Sequence, residues 1–553
     1  MDQRTALLEI DATLRGKGFS PADRGVADYE GQIRVHGKPV DVLISVPDVR
    51  FAEKPRIYLK DRRQVAVEVL AHVESDTGIC YASGAGLPID LYKPGEAVLR
   101  VLEQARKTLE LSYGGKGQAE LVDEYQAYWN AELPVRCLLP RSSIRDGVKA
   151  TAFFARRGDK ALFNAIGEQP KLAGYETELP SNVIFWVSDQ LIGPVAGMIV
   201  PTTLADLKVW ITGNASFKAK KWDSVLAHLA TRSYLFISAP NALVGFRIKI
   251  PADIQAGFIQ KRIRPEKLPA LLGARSASVE LERFSGKWSS LSDVTDRNNP
   301  TDLDLSETSI ALVGCGTIGS HLARMLVQCG AGNKGRLTLF DTQALDQGNI
   351  GRHLLGFGDI GKGKASAVGA ELSRFHPQVK ASWIEHDALK HLNDLGNHNL
   401  VIDATGEWNV QSALNHWFMD GARKRTKALL HSWVFMNGAG VQSFLNLNDE
   451  YACFRCLKPA FDGPWRFPVG NEKDELNLKP ATCGDGAFVP FTVDAPVMAA
   501  SLAVRSALDW VNGDPGPRLR STIVDMRRGR PQEPRHPSPS KACPECADRR
   551  VSR

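Results

Sequence analysis

Three patterns follow one another between Ile310 and Asp341. Ile310-Ala311-Leu312-Val313 is a short apolar run of the kind that forms a buried strand. Gly314-Cys315-Gly316-Thr317-Ile318-Gly319 is a glycine-rich turn. Ser320 to Cys329 has helical periodicity, and Arg336 to Phe340 is a second apolar run ending on Asp341. A strand, a turn with glycines at its first, third and sixth places, a helix and a second strand make one unit of a parallel α/β sheet. Gly314, Gly316 and Gly319 let the backbone approach a phosphate, and the free N–H groups at the helix start attract the anion. Asp341 lies about 22 residues beyond Gly319, where an acidic side chain can accept from ribose hydroxyls.

Asn349, Arg352 and Lys364 follow in a glycine-rich segment. A simple dinucleotide site has no use for them. A site that neutralises a triphosphate and stabilises charge developing at phosphorus does. With Gly314, Gly316, Gly319 and Asp341 they resemble the pattern of the ThiF/MoeB/ubiquitin-activating superfamily over roughly the last 250 residues. The resemblance implies ATP and magnesium as cofactors, adenylation of a protein's C-terminal carboxylate, and a homodimer. The run Asn399 to Gly406 reads as another central strand. It keeps Asp403 where the superfamily has its first acidic residue. Where relatives carry a second, magnesium-binding Asp this chain has Gly406, followed by Glu407, so Asp403 or Glu407 is expected to serve. The resemblance also implies an arginine donated to a partner subunit's ATP site, with Arg297 and Arg283 as candidates.

Two Cys-x-x-Cys pairs, Cys453 with Cys456 and Cys543 with Cys546, supply four thiolates, which suits a tetrahedral structural zinc; redox dithiols are the alternative. ThiF/MoeB-like domains carry such pairs in this order. Between them lies Ala481-Thr482-Cys483-Gly484-Asp485-Gly486, ahead of a helix pattern from Ala495 to Trp510. A thiol at a glycine turn near a helix start can have a lowered pKa. The family resemblance makes Cys483 the thioester cysteine. Cys315 and Cys329 are assigned to packing, and Cys137 to structure.

The chain begins with an amphipathic helix pattern that places Ala6, Leu7, Ile10 and Leu14 on one face. Strand patterns follow at 31–36, 40–45, 56–59 and 64–69. His72, Gly78-Ile79-Cys80, Pro94 and a helix from Glu96 to Leu111 come next. That order resembles the ubiquitin-conjugating-enzyme fold, with Pro55 on its approach loop, and the resemblance makes Cys80 an acyl-carrying nucleophile. A thiolate is strongly nucleophilic near neutral pH, and a thioester stays reactive toward amines. The asparagine that the family uses to stabilise the oxyanion is replaced by Glu74.

Bulk properties set the frame. The 553 residues allow two to four domains. The charge of +7, from 69 basic and 62 acidic residues, is too mild, without a basic run, to imply nucleic acid. The start of the chain lacks the apolar core of a secretion signal, and the most apolar window, 182–201, is too interrupted to span a membrane. Nine dispersed cysteines fit a reducing cytoplasm rather than a disulfide framework.

The expected fold class is α/β multidomain: a ubiquitin-conjugating-like α+β domain at 1–116, an α/β linker domain at 117–289, and a Rossmann-like ThiF-type adenylation domain with structural zinc at 290–553. The domain order resembles the bacterial fusion enzymes of CBASS antiphage operons. That resemblance implies a relay from adenylate to Cys483 to Cys80 to an amine, such as a lysine on a target. The carried protein would be a cGAS-like nucleotidyltransferase, joined through its C-terminus. Another bacterial ubiquitin-like protein is the alternative partner. A sulfur-carrier adenylyltransferase or a non-catalytic scaffold are the alternatives of other classes. Gly406 and Glu74 favour the scaffold.

Overall fold

The computed structural model describes residues 2–22, 27–61, 71–73, 77–82, 87–113, 116–129, 133–157, 160–166, 176–177, 180–195, 198–214, 217, 222–300, 304–421, 423–480 and 487–546. The strand pattern at 64–69, Glu74 and the Cys483 segment lie outside them. The chain forms two compact units, Met1–Lys287 and Trp288–Arg553.

The first unit opens on helix Gln3–Gly16, whose N-terminus is capped by Asp2 accepting from the backbone of Arg4 and Thr5. Such a cap satisfies N–H groups that have no partner inside the helix. Ala6, Ile10 and Leu14 recur at fourfold spacing and are buried. They enter a core with the inward residues of an antiparallel sheet formed by Ser20–Pro21, Asp28–Val35, Lys38–Ser45 and Arg56–Leu59. In Lys38–Ser45 the alternate residues Val40, Val42 and Ile44 are buried, the period-two signature of a sheet with one face in a core. Helix Pro94–Tyr113 packs on the first helix and starts on a proline, whose missing N–H costs nothing at that position. This is the α+β arrangement that the sequence leads one to expect.

The middle of this unit is more strand-rich than its sequence suggests. Eight strands form one mixed sheet in the order Lys160–Ile166, Leu133–Cys137, Leu281–Trp288, Leu243–Ile248, Tyr234–Ser238, Ser181–Val187, Lys149–Arg157 and Glu176–Thr177, and Lys160–Ile166 also pairs with Lys149–Arg157. Helices Leu204–Gly213 and Trp222–Ala230 contribute apolar faces to its core around Trp129, Trp210 and Phe246.

The second unit is a seven-stranded sheet. Its order is Ala381–Ile384, Leu337–Phe340, Ile310–Val313, Leu400–Asp403, Ala428–Phe435, Gly440–Asn446 and Leu519–Ile523. The first five run parallel and the last two are antiparallel additions. The central strands are buried at every position, as parallel strands covered on both faces must be. Alternation decides which side chain meets which layer. Ile310 and Leu312 pack with Leu322, Leu326 and Ala499 from helices Thr317–Gln328 and Asp494–Val511. Ala311 and Val313 pack on the other face with Leu414 and Phe418 of helix Trp408–Met419. Strand Ile310–Val313 has its successor on one side and Leu400–Asp403 on the other, so the sheet reverses its winding there. Ligand crevices of open α/β sheets form outside the strand ends at that reversal.

Candidate active site

The glycine turn sits at the reversal. Gly314 adopts φ +87°, and a side chain there would meet the backbone N of Thr405 at 3.0 Å. A Cβ on Gly319 would lie 1.8 Å from the carbonyl oxygen of Gly314, so only glycine lets the helix start this close to the turn. Gly316 precedes helix Thr317–Gln328, and no side chain caps it. The N–H groups of the first turn are therefore left for an anion.

Cys315 has both backbone groups committed. Its N–H donates to Asp341 Oδ2 at 2.8 Å, and its carbonyl accepts from His353 Nε2 at 2.8 Å. His353 Nδ1 accepts from the Leu355 N–H at 3.1 Å, which leaves the ring proton on Nε2. Burial pushes the His353 pKa down to about 4, so the ring is neutral at physiological pH. The Cys315 and Cys329 thiols are pushed up by burial, consistent with packing roles. Asp341 also accepts from the Gln343 N–H at 2.8 Å. Its oxygens keep lone pairs for ribose hydroxyls, since a carboxylate can accept about four hydrogen bonds.

A cavity of about 900 Å³ opens here. Gly314, Gly316, Asp341, Gln343, Asp387 and Glu407 line it, together with the aromatic residues Trp408, Trp433, Phe435, Trp465 and Phe491. The room and the helix N-terminus suit a nucleotide.

Asn349, Arg352 and Lys364 stand behind the wall. Asn349 Oδ1 accepts from the Asp346 N–H at 3.1 Å, and its carbonyl accepts from the Arg352 N–H. The Arg352 guanidinium lies 5.0 Å from the ring centres of Phe488 and Phe491, and burial lowers its pKa. Lys364 starts helix Lys364–Phe375 and donates its Nζ to Gln343 Oε1 at 2.7 Å. Burial lowers its pKa too, with Asp341 acting against that.

Asp403 is placed differently from the expectation. It is 0% exposed. Its Oδ1 accepts from the Thr405 N–H and hydroxyl at 3.0 and 2.7 Å, and its Oδ2 from His431 Nδ1 at 2.8 Å. It shapes the turn at Thr405 from below, whereas the exposed Glu407 lines the cavity. Arg283 donates to the Pro201 carbonyl inside the first unit, and the exposed Arg297 ends helix Leu291–Asp296.

Cys453, Cys456, Cys543 and Cys546 are buried, and their sulfurs all lie within 4.8 Å of one another. Three of the pairs are 3.3, 3.7 and 3.8 Å apart, too far for a disulfide. In a tetrahedral tetrathiolate with metal–sulfur bonds of about 2.3 Å, the sulfurs are roughly 3.8 Å apart. The four fit a closed structural zinc site, and the Ser540 N–H points at the Cys456 sulfur.

In the first unit Cys80 is exposed. Its N–H donates to the His72 carbonyl at 2.8 Å, and the His72 N–H donates to Tyr128 Oη at 2.7 Å. The His72 ring, at a residue with φ +60°, contacts Glu120 at 3.0 Å and Glu124 at 3.6 Å. The sequence did not signal Tyr128 or the two glutamates, because they come from helical turns well after the domain's recognisable motifs.

Residues 292–546 match the ThiF family, and residues 5–137 match the prokaryotic E2 family B. The chain joins an E2-type domain to a ThiF-type domain. Over 99% of its length it is 28% identical to the whole of the ATP-dependent ubiquitin transferase-like protein Cap2 of Pseudomonas aeruginosa strain BWHPSA011. It is 25% identical to the Cap2 of Escherichia coli strain TW11681, over 85% of this chain and 84% of that one. The crystal structure of E. coli MccB with MccA-N7isoASN is similar over 46% of this chain and 69% of its own, at 18% identity and a TM-score of 0.34. This fusion of an E2-type and a ThiF-type domain belongs to the ATP-dependent activating and conjugating enzymes. Among the described residues no helix is long and apolar enough to cross a membrane.

Proposed function

We propose that the enzyme adenylates the C-terminal carboxylate of another protein, holds the acyl group as a thioester and conjugates it to an amine. The glycine turn and the start of helix Thr317–Gln328 bind the phosphates of ATP, and Asp341 holds the ribose. A carboxylate oxygen of the carried protein attacks the α-phosphorus. The bond to the bridging oxygen breaks and pyrophosphate leaves. Arg352 and Lys364, at present turned onto Phe488 and Gln343, offset the developing charge once a nucleotide draws them in. Magnesium, held by wall carboxylates such as Glu407, neutralises phosphate charge when bound.

The Cys483 thiolate then attacks the acyl carbon and AMP leaves. The Cys80 thiolate displaces Cys483, and a lysine amine displaces Cys80, losing its proton as the amide forms. We assign Cys453, Cys456, Cys543 and Cys546 to zinc, and take the working unit to be a homodimer. The carried protein is taken to be a cGAS-like nucleotidyltransferase of a CBASS operon. The ATG7 ubiquitin-like modifier-activating enzyme of Candida glabrata, 28% identical over 28% of this chain, keeps a ubiquitin-like protein as the second reading.

The observation that carries the proposal is the presence of both an uncapped glycine turn at Gly314–Gly319 and an exposed Cys80 in a chain that one ubiquitin transferase-like relative matches end to end. The test incubates enzyme, ATP and magnesium with either candidate protein and looks for a reductant-sensitive adduct. Cys483→Ala is expected to abolish it. Cys80→Ala is expected to retain it on Cys483. An adduct that survives Cys483→Ala, or none with either protein, rejects the relay.

A further inference from the structure

The cavity has two ends of opposite character. Its polar end lies over the strands that precede the winding reversal, where Asp341 and the helix start would hold ribose and phosphates. Its other end lies over Leu400–Asp403 and Ala428–Phe435, and is walled by Trp408, Trp433, Phe435, Met436 and Trp465. An adenine ring could stack on such a wall, but with the ribose at Asp341 the base falls toward His386, Asp387 and Ala388, on the side of Asp341 away from the tryptophans.

The wall is fixed in place. Trp465 stacks on Trp433 at 5.6 Å between ring centres and meets Trp408 edge-on at 5.7 Å. Arg455 and Lys458 lie over Trp408 at 4.9 and 5.5 Å, holding that ring from outside. Trp433 is buried, whereas Trp408 and Trp465 keep part of their surface open. Aromatic rings that are already packed and still line a cavity offer apolar contact without an ordering cost.

Displacement at phosphorus is roughly in line, so the attacking carboxylate enters opposite the departing pyrophosphate. The group attached to that carboxylate then extends away from the phosphates, along the same cavity. We propose that the aromatic end receives the last two residues of the carried protein, and that one of them has a large apolar side chain. This rests on the adenylation reading and deepens it by naming the class of tail: bulky and apolar, not two glycines.

The test measures binding to the full-length enzyme, by calorimetry, of three non-hydrolysable adenylate mimics. They are dipeptidyl sulfamoyl-adenosines carrying Gly-Gly, Phe-Gly or Gly-Phe, with ATP as the reference. Burying a phenyl ring is expected to make one of the aromatic mimics bind at least about tenfold tighter than Gly-Gly. That ratio should fall toward one in Trp465→Ala and in Trp408→Ala, each compared within its own protein. Equal binding of all three mimics beside normal ATP binding would overturn the pocket and leave adenylation standing. A preference that persists in both variants would overturn its assignment to the tryptophan wall. Failure of ATP and all mimics to bind would overturn the adenylation reading, and the pocket with it.

Discussion

His353 holds the Cys315 carbonyl only while its ring is arranged with the proton on Nε2 and a lone pair on Nδ1. An unfolded histidine titrates near pH 6.5, whereas this one does so at about 4. Between those values the unfolded chain binds a proton that the folded chain refuses, so stability rises with pH. The contribution is complete above about 6.5 and is lost as pH falls toward 4. From pH 7.5 to 5 this residue is expected to cost about 2 kcal/mol. His353→Gln keeps a donor for Cys315 but does not titrate, and urea unfolding at the two pH values should show that share of the dependence gone. Asp341→Ala removes the acceptor proposed for the ribose and releases the Cys315 N–H; ATP affinity measured by calorimetry should fall at least about tenfold. The place of Asp341, at a strand end beside the glycine turn, was legible in the sequence because its distance from the glycines is set by one helix and one strand. His353, Gln343 and Tyr128 were not, since each acts on a partner brought near by the fold alone. Asp403 was legible as a strand end, but its burial under His431 depends on a neighbouring strand.

At the level of elements, the site depends on how closely helix Thr317–Gln328 approaches the turn before it. Gly319→Ala would drive a methyl into the Gly314 carbonyl, so the helix start must retreat. We expect a lowered melting temperature by calorimetry and loss of ATP binding together, because one displacement causes both. The four-cysteine cluster ties the segment after Gly440–Asn446 to the residues just before the chain's end. Bound zinc should measure one per chain by elemental analysis, and Cys456→Ser should lose it and lower the melting temperature. The strand–turn–helix elements of the second unit could be read from the sequence, since their apolar runs and glycines are local signals. The aromatic wall could not, because Trp408, Trp433 and Trp465 belong to a helix start, a strand and a loop that only the sheet order brings together.

Across the molecule, the apolar cores divide between Met1–Lys287 and Trp288–Arg553. Calorimetry is expected to resolve more than one unfolding transition. ATP should raise only the one belonging to the second unit, by about 2.7 kcal/mol at a hundredfold excess over its dissociation constant. A single transition shifted as a whole would contradict that. The middle of the first unit was the least legible region: its strands are separated by helices, and their pairing into one mixed sheet rests on long-range register that no local pattern encodes. The second unit's sheet ends on two antiparallel strands at its edge, and the chain between them makes one long excursion that carries the Cys453–Cys456 pair, Trp465 and helix Asp494–Val511. Lengthening such an excursion costs little closure entropy. Descendants of this gene can therefore rewrite which cargo they accept while inheriting the nucleotide cradle unchanged, so substitutions should accumulate faster along the excursion than around Gly314.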